Sequence, residues 1–171
     1  SNFDLAQSPA VKDRSLMDHW ILSELNILIE DVDKAYTEFD SQHAGRVLAA
    51  FIDDLSNWYV RRSRRRFWDG DVAALATLHE CLETLTQLLA PMVPFISEQV
   101  WQKVLRPVDS SLPESVHLAD FPTSDSKLID QSLMTKVATT RRIVELGRAA
   151  RATSQVKIRQ PLGRALVAGY S

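Results

Sequence analysis

The chain has 171 residues, of which 45% are hydrophobic and 25% charged, a composition typical of an ordinary globular domain and not of a disordered protein. Its apolar runs are far shorter than the ~20 residues of a membrane helix, and we expect no secretory signal. The single cysteine, Cys81, excludes an internal disulfide and is typical of a reducing compartment. We therefore predict a cytoplasmic protein without a membrane partner. Residues 1 and 2 are compatible with a cloning remnant.

The net charge of −2 conceals a strong segregation of charge along the chain. Residues 1–60 carry a net charge of −7, and residues 69–140 carry −6. Two basic blocks follow these acidic stretches, with +5 in residues 61–68 and +6 in residues 141–171. Compact basic blocks on an acidic background predict a localised face that binds a polyanion.

The first predicted element is an amphipathic helix that begins at Leu16. Ser15 followed by Asp18 is the signature of a capping box at its start. The apolar residues then recur at alternating steps of four and three, which is typical of a bundle helix: Ile21, Leu25, Leu28, Val32, Ala35 and Phe39.

A second helix is predicted after Asp40 and Ser41 and runs from about residue 42 to 68, roughly 40 Å at 1.5 Å per residue. Its apolar stripe contains Leu48, Ile52, Leu55 and Tyr59. At 100° per residue, the same stripe continues through Arg62 and Arg66. Arg61, Arg64 and Arg65 lie beside the stripe. Glu80 and Glu83 are candidate partners for the two arginines in line with the core.

Glycine and proline mark the ends of the next two helices. Gly70 ends the second helix, and Asp71 is the predicted cap of a third, which Pro91 stops. Pro94 opens a fourth helix. The predicted apolar stripe of the third helix is Leu75, Leu78, Leu82, Leu85 and Leu89, and that of the fourth is Phe95, Ile96, Val100, Trp101, Val104 and Leu105.

The last third of the chain changes character twice. Residues 106–127 contain three prolines and predict a long surface loop, with a short extended piece at Val116–Leu118. Residues 129–152 return to helical spacing. Residues 156–169, "VKIRQPLGRALVAG", alternate and are β-branched, which predicts a strand or an extended tail. Because a lone strand leaves its backbone groups unpaired, we expect this tail to join a sheet in a larger protein.

These elements predict an all-α helix bundle with an extended, strand-like C-terminal tail. The predicted domain organisation has three parts. Residues 1–13 are a linker or a start left by cloning, residues 14–153 are a helical domain, and residues 154–171 are the extended start of a further, truncated subdomain.

The segment "NWYVRRSRRRFW", residues 57–68, places five arginines in six positions without a lysine. A helix dipole explains one or two cations at a C-terminus, and the like-charge pairs 61/65 and 62/66 are destabilising. Exclusive use of arginine favours planar phosphate partners and stacking on bases. We therefore predict polyanion binding, while a solvated helix end remains the alternative. Trp68 suits either packing or stacking on a base.

No catalytic or metal-binding pattern accompanies the arginines. The four histidines are scattered without zinc-type spacing, and five glycines form no phosphate-binding loop. Cys81 lies beside a leucine stripe and is interpreted as a small core residue. We expect no catalytic residue, metal or cofactor in these 171 residues.

Five segments of the chain resemble the anticodon-binding region of isoleucyl-tRNA synthetases, a class I aminoacyl-tRNA synthetase family. They are "DHWILSELNILI" (18–29), "FIDDLSNWYVRRSRRRFW" (51–68), "TLHECLETLTQLLAPMVPFISEQVW" (77–101), "ESVHLADFP" (114–122) and "VKIRQPL" (156–162). The third segment is shared with valyl, leucyl and methionyl enzymes. The second and fifth resemble the isoleucyl enzymes, and the arginine-rich form of the second resembles a eukaryote-like branch that includes part of the bacteria.

This resemblance implies a helical anticodon-binding domain of an enzyme that uses ATP and Mg to charge tRNA(Ile) with isoleucine, with editing in a separate domain. The expected partners are tRNA(Ile) and the remaining domains of the parent. Neither the HIGH-type nor the KMSKS-type motif occurs here, so the resemblance implies no catalysis in these residues. The alternatives are the same domain of a valyl or other class I enzyme, and a helical protein-interaction module with basic ends.

The resemblance also implies candidate RNA contacts without assigning them to nucleotides. Arg61, Arg64, Arg65 and Trp68 are the first candidates. Arg62 and Arg66 are expected to be divided between structural and RNA contacts. Lys157, Arg159 and Gln160 form a second candidate set, which could instead fix the junction to a following domain.

Overall fold

The computed structural model describes residues 4–169, and the expectation for residues 1 and 2 lies outside them. The described residues are mainly helical and contain no strand, which confirms the predicted all-α bundle and leaves the strand-like tail unconfirmed. The α-helices are α1 (Leu16–Thr37), α2 (Ser41–Asp53), α3 (Arg61–Trp68), α4 (Val72–Leu89), α5 (Pro94–Val100) and α6 (Gln131–Thr153). No described helix is long and apolar enough to cross a membrane.

Helix α1 is a central element of the bundle and packs on α2 and α4. The capping box is confirmed, because Asp18 N–H donates to Ser15 Oγ over 3.3 Å and Ser15 N–H donates to Asp18 Oδ2 over 3.0 Å. The predicted apolar stripe is buried from Ile21 to Ala35. Its last predicted member, Phe39, is instead 94% exposed.

The second predicted helix is continuous in space but not uniform in pitch. Between α2 and α3, residues Asp54–Val60 form a π-helical turn. A π-helical turn holds more residues than an α-helical turn, so buried side chains recur here every four residues, at Phe51, Leu55, Tyr59 and Ser63. Ile52, predicted to be in the core, is 39% exposed because it lies off this stripe.

Helix α4 begins and ends where the sequence predicts. Asp71 accepts a hydrogen bond from Ala74 N–H over 3.1 Å, and Gly70 takes the left-handed conformation that ends α3. The most deeply buried residues of α4 each lie one position before a predicted leucine: Ala74, Thr77, Cys81 and Leu88. Of the predicted leucines only Leu85 is buried, and the others are half-buried. Cys81 is a buried core residue, as predicted.

Helix α5 starts at Pro94 and continues into a second π-helical turn, Trp101–Leu105. Its buried residues again recur every four positions, at Ser97, Trp101 and Leu105. Phe95 and Ile96, predicted to be in the core, are 91% and 54% exposed because this spacing turns them outward.

The predicted extended piece at Val116–Leu118 is wrong, because these residues form a 3₁₀-helix. Val116 is buried in a small cluster with Trp101 and Leu105. Its N–H donates to the Glu98 carboxylate over 3.1 Å. The long segment that follows is also tied down, since Asp130 N–H donates to Ser23 Oγ over 3.1 Å.

The chain divides into two compact units, Ser1–Asp130 and Gln131–Ser171. The second unit contains α6, which confirms the helix predicted for residues 129–152, and a tail without strands in its described residues. The predicted domain boundary between residues 153 and 154 stays a prediction. The compact units divide earlier, where α6 begins.

Phe39 occupies an unusual position at the end of α1. Its φ of 58° lies in the left-handed region. Asp40 N–H donates to Ala35 O over 2.8 Å and Phe39 N–H donates to Tyr36 O over 3.2 Å, which is the hydrogen-bond pattern of a Schellman motif with glycine's usual place taken by phenylalanine. Since the side chain is 94% exposed, its burial does not offset the backbone strain.

We therefore predict that Phe39→Gly raises the free energy of unfolding by about 0.5–1 kcal/mol, because glycine takes this conformation without strain. Urea unfolding of the purified chain measures the change. Glu38→Gly is the matched control: Glu38 has a φ of −87°, so glycine there should give no gain. Equal effects of the two variants would contradict the strain argument.

Candidate nucleic-acid interface

The arginine segment, defined here as α3 (Arg61–Trp68), carries the first basic block. The prediction that Arg66 faces the bundle is confirmed, since its side chain is 26% exposed and contacts buried groups. The prediction that Arg62 lies on the core stripe is wrong. Arg62 is exposed and Ser63 is buried, because the preceding π-helical turn shifts the buried stripe by one residue.

Arg66 is held by a two-pronged ion pair with Asp18, whose side chain is fully buried. Its Nη2 lies 2.7 Å from Asp18 Oδ2, and its Nη1 lies 2.8 Å from Asp18 Oδ1. Nε donates to Asp71 Oδ2 over 2.7 Å, and Nη1 also donates to Ser15 Oγ over 2.9 Å. Tyr59 completes the site, since its hydroxyl donates to Asp18 Oδ1 over 2.7 Å. The guanidinium therefore joins α3 to the first turn of α1 and to the cap of α4.

The acids expected to pair with these arginines have other partners. Glu80 forms an ion pair with Arg14 over 3.2 Å, and a Glu83 oxygen lies 3.8 Å from His79 Nδ1. Sequence reasoning recognised Asp18 only as a helix cap and missed its pairing with Arg66. No signal in the local sequence joins two residues that are 48 positions apart.

The electrostatics of this cluster favour its ionised form. Burial raises the pKa of Asp18, but hydrogen bonds from Arg66, Tyr59 and Ser15 together outweigh it and hold that pKa below its ordinary value. The hydrogen bond to Asp18 raises the pKa of Arg66 despite partial burial. The hydrogen bond from Arg66 lowers the pKa of Asp71. Arg66 is consequently a fixed, neutralised cation.

The other four arginines of the segment, Arg61, Arg62, Arg64 and Arg65, are exposed. The Arg62 guanidinium lies 5.1 Å from the centre of the Trp58 ring, a cation–π contact one helical turn away that sequence reasoning also missed. Arg65 lies 3.6 Å from Asp69 in an exposed pair, which contributes little. Trp68 is 78% exposed. The segment thus presents cations and an aromatic face to solvent on a fixed helix.

The second candidate set lies on the turn that follows α6. Lys157, Arg159 and Gln160 are exposed. Arg151, which the sequence showed only as one member of a basic block, donates to the carbonyls of Lys157 and Gln160 over 2.9 and 2.8 Å. Among the described residues, no group of three or more histidine, cysteine or acidic side chains could hold a metal ion.

We predict that Asp18→Asn lowers the free energy of unfolding by about 3 kcal/mol, because it leaves Arg66 and Tyr59 without their charged acceptor in a buried site. Chemical denaturation of the chain measures the loss. Arg65→Ala, which removes only an exposed pair, should stay within about 0.5 kcal/mol of the parent. Similar losses in both variants would mean that the Asp18 pair has no special weight.

The lowered pKa values of Asp18 and Asp71 also predict an acid-sensitive contribution to stability. A carboxyl whose folded pKa is depressed stabilises fully above its unfolded pKa, and the contribution is lost as pH falls through the folded pKa. Unfolding free energies measured from pH 6 to pH 3 should therefore fall below about pH 4. The fall should be shallower in Asp18→Asn and intermediate in Asp71→Asn. Parallel curves for all three proteins would contradict this.

Comparison with known proteins identifies the family. The family described as the anticodon-binding domain of tRNA ligase matches residues 18–166. Isoleucine–tRNA ligase of Streptomyces avermitilis is 59% identical over 160 residues, which is 94% of this chain and 15% of the relative. The Thermobifida fusca enzyme is 59% identical over 172 residues, covering 98% of the chain and 16% of the relative. The Thermus thermophilus enzyme is 43% identical over 170 residues, covering 96% of this chain and 16% of the relative.

The chain thus spans about 15–16% of the length of these relatives. The relatives are bacterial and do not support the eukaryote-like branch expected from the arginine-rich segment. The family match covers most of the chain, including all of α2–α6 and the beginning of the tail. The chain therefore belongs to the anticodon-binding domain family of tRNA ligases.

Proposed function

We propose that this chain is the anticodon-binding domain of an isoleucine–tRNA ligase and binds the anticodon stem-loop of tRNA(Ile). The observation that carries the RNA-binding part is the arginine segment, in which one arginine is fixed by the buried Asp18 and the half-buried Asp71 and four are exposed. The identity to isoleucine–tRNA ligases along nearly the whole chain supports the choice of amino acid. By holding the stem-loop, the domain supports charging of the distant acceptor end.

Within the arginine segment we assign different roles to the anchored and the exposed residues. Arg61, Arg62, Arg64 and Arg65 contact phosphates, which gives salt-sensitive affinity. Trp68 stacks on an unpaired base, the usual way in which proteins recognise single-stranded RNA loops. Arg66 directs its donors to Asp18, Asp71 and Ser15, so we assign it to holding α3 in place. Lys157, Arg159 and Gln160 form a second phosphate-binding element.

The remaining steps of the proposed reaction belong to other parts of the ligase. ATP and Mg would be bound by its catalytic domain, and editing would occur in a further domain, so this chain contributes RNA binding and no chemistry. The remaining domains are its expected covalent neighbours. We further propose a cytoplasmic location, which fits the single buried cysteine. For membership of the parent ligase in the eukaryote-like branch, the arginine-rich segment is the sole support, and we leave that membership as a proposal.

We predict that Arg64→Ala with Arg65→Ala weakens tRNA(Ile) binding by the full-length ligase on the order of tenfold at physiological salt. The slope of log K against log salt should fall by about 2, because each lost phosphate contact removes about 1. Filter binding or fluorescence anisotropy across a salt titration, with tRNA(Ile) and tRNA(Val) transcripts and heparin as competitors, measures both quantities.

The matched control is Lys34→Ala with Arg46→Ala. It removes two exposed cations from the last turns of α1 and the first turns of α2, at the other end of the helical segment that carries Arg64. This control should change affinity by less than about threefold. Equal losses in the two double variants would overturn the assignment of the arginine segment. Preference for tRNA(Val) would favour a valyl enzyme, and equal competition by heparin would favour a protein-interaction module.

A further inference from the structure

Helix α6 ends in a motif that turns the chain back beside its last turn. Val156 N–H donates to Arg151 O over 2.9 Å, and Gln155 N–H donates to Ala152 O over 3.1 Å. Gln155 has a φ of 54°, in the left-handed region. This is the hydrogen-bond pattern of a Schellman motif. It brings residues 157–160 within reach of the side chains of the last turn of α6.

Residues 157–160 form a closed turn whose two ends are held by one side chain. Gln160 N–H donates to Lys157 O over 3.0 Å, which closes the turn. Arg151 Nη1 donates to Lys157 O over 2.9 Å and to Gln160 O over 2.8 Å, so it contacts both ends. Ile158 O lies at the longer distance of 3.5 Å. Hydrogen bonds from a charged donor are roughly twice as strong as neutral ones, so the shape of the turn depends on Arg151.

The turn belongs to a strongly basic part of the chain. Lys157 and Arg159 are exposed, and Glu145 is the single acidic residue in positions 131–171. Glu145 lies 3.7 Å from Arg142, in an exposed pair. No acidic residue within positions 131–171 therefore accounts for bringing Lys157 and Arg159 together within one turn. A bound polyanion would neutralise both cations at once.

We propose that Arg151 is a positioning residue for RNA binding. Its guanidinium donates hydrogen bonds to backbone carbonyls and thereby fixes the turn, so that Lys157 and Arg159 contact neighbouring phosphates at the same time. This inference rests on the proposed function, because it assumes that the turn contacts tRNA. It assigns to Arg151 an indirect effect, which distinguishes it from the other cations of the second basic block.

A double-mutant cycle on the full-length ligase tests this role. The variants are Lys157→Ala with Arg159→Ala, Arg151→Ala alone, and the triple variant. The first should lower the salt-dependence slope for tRNA(Ile) by about 2 and the affinity on the order of tenfold. Arg151→Ala should approach both values although it removes one charge. The triple variant should stay within about twofold of the first, because effects that act through the same contacts are not additive.

Two further variants separate positioning from charge. Arg148→Ala removes a cation one turn earlier on α6, and its loss should be small and additive with that of the Lys157 and Arg159 variant. Arg151→Lys keeps the charge but replaces the rigid planar guanidinium by a single nitrogen on a shorter side chain, so it should recover only part of the affinity and of the slope, whereas a pure charge effect would recover all of it. Melting temperatures of all variants show whether the domain remains folded, and Arg151→Lys provides the test if Arg151→Ala does not remain folded.

Three results would overturn the inference. If the triple variant loses a further unit of slope, Arg151 contacts RNA directly. If Arg151→Ala binds like the parent, the turn does not depend on it. If Lys157→Ala with Arg159→Ala has no effect, the turn does not bind RNA. Failure of the proposed function is a different result, since the parent ligase would then show no preference for tRNA over heparin.

Discussion

The interaction on which the arrangement of helices depends is the ion pair between Arg66 and the buried carboxylate of Asp18. A buried carboxylate is costly unless it is paired and hydrogen-bonded. Here Arg66 and Tyr59 both donate to it, and Ser15 adds the hydrogen bonds of the capping box. The same guanidinium reaches the cap of α4 through Asp71. One side chain therefore fixes the start of α1, the end of α3 and the start of α4 relative to one another.

The π-helical turn Asp54–Val60 decides which arginines reach solvent. In a uniform α-helix, Arg62 and Arg66 would both follow Leu55 and Tyr59 into the core. The turn holds an extra residue, so the buried stripe passes through Ser63 and Arg62 is released to the surface, where it packs on Trp58. The helix consequently turns Arg66 toward the acids that bind it. The other four arginines stay in solvent, where no buried acid pairs with them.

The parts of the fold that could be predicted from sequence are those set by local chemistry. The capping box of Ser15 and Asp18, the cap at Asp71 and the start at Pro94 follow from hydrogen bonding and backbone geometry within a few residues. The two π-helical turns could not be predicted, because assuming 100° per residue excludes them. This assumption misplaced Arg62, which follows the first π-helical turn. Ile52 and Phe95 precede the turns, in α2 and α5, and lie beside the buried stripe of their helices. The 3₁₀-helix at Val116 depends on packing against Trp101, which local sequence does not show.

The two basic elements, the arginine segment and the turn after α6, follow one physical rule. In each, a single arginine satisfies polar groups of its own chain: Arg66 binds carboxylates, and Arg151 binds carbonyls. In each, the neighbouring cations are left in solvent on a backbone that this arginine holds still. Ordering long side chains and loops costs free energy on binding, and a backbone fixed beforehand reduces that cost. Anchoring also relieves repulsion, because neutralising Arg66 removes the 62/66 repulsion and leaves 61/65, where Arg65 has only the exposed Asp69 as a partner. Under the proposed function, the phosphates of the bound RNA would balance the charge of the cations that this scaffold exposes.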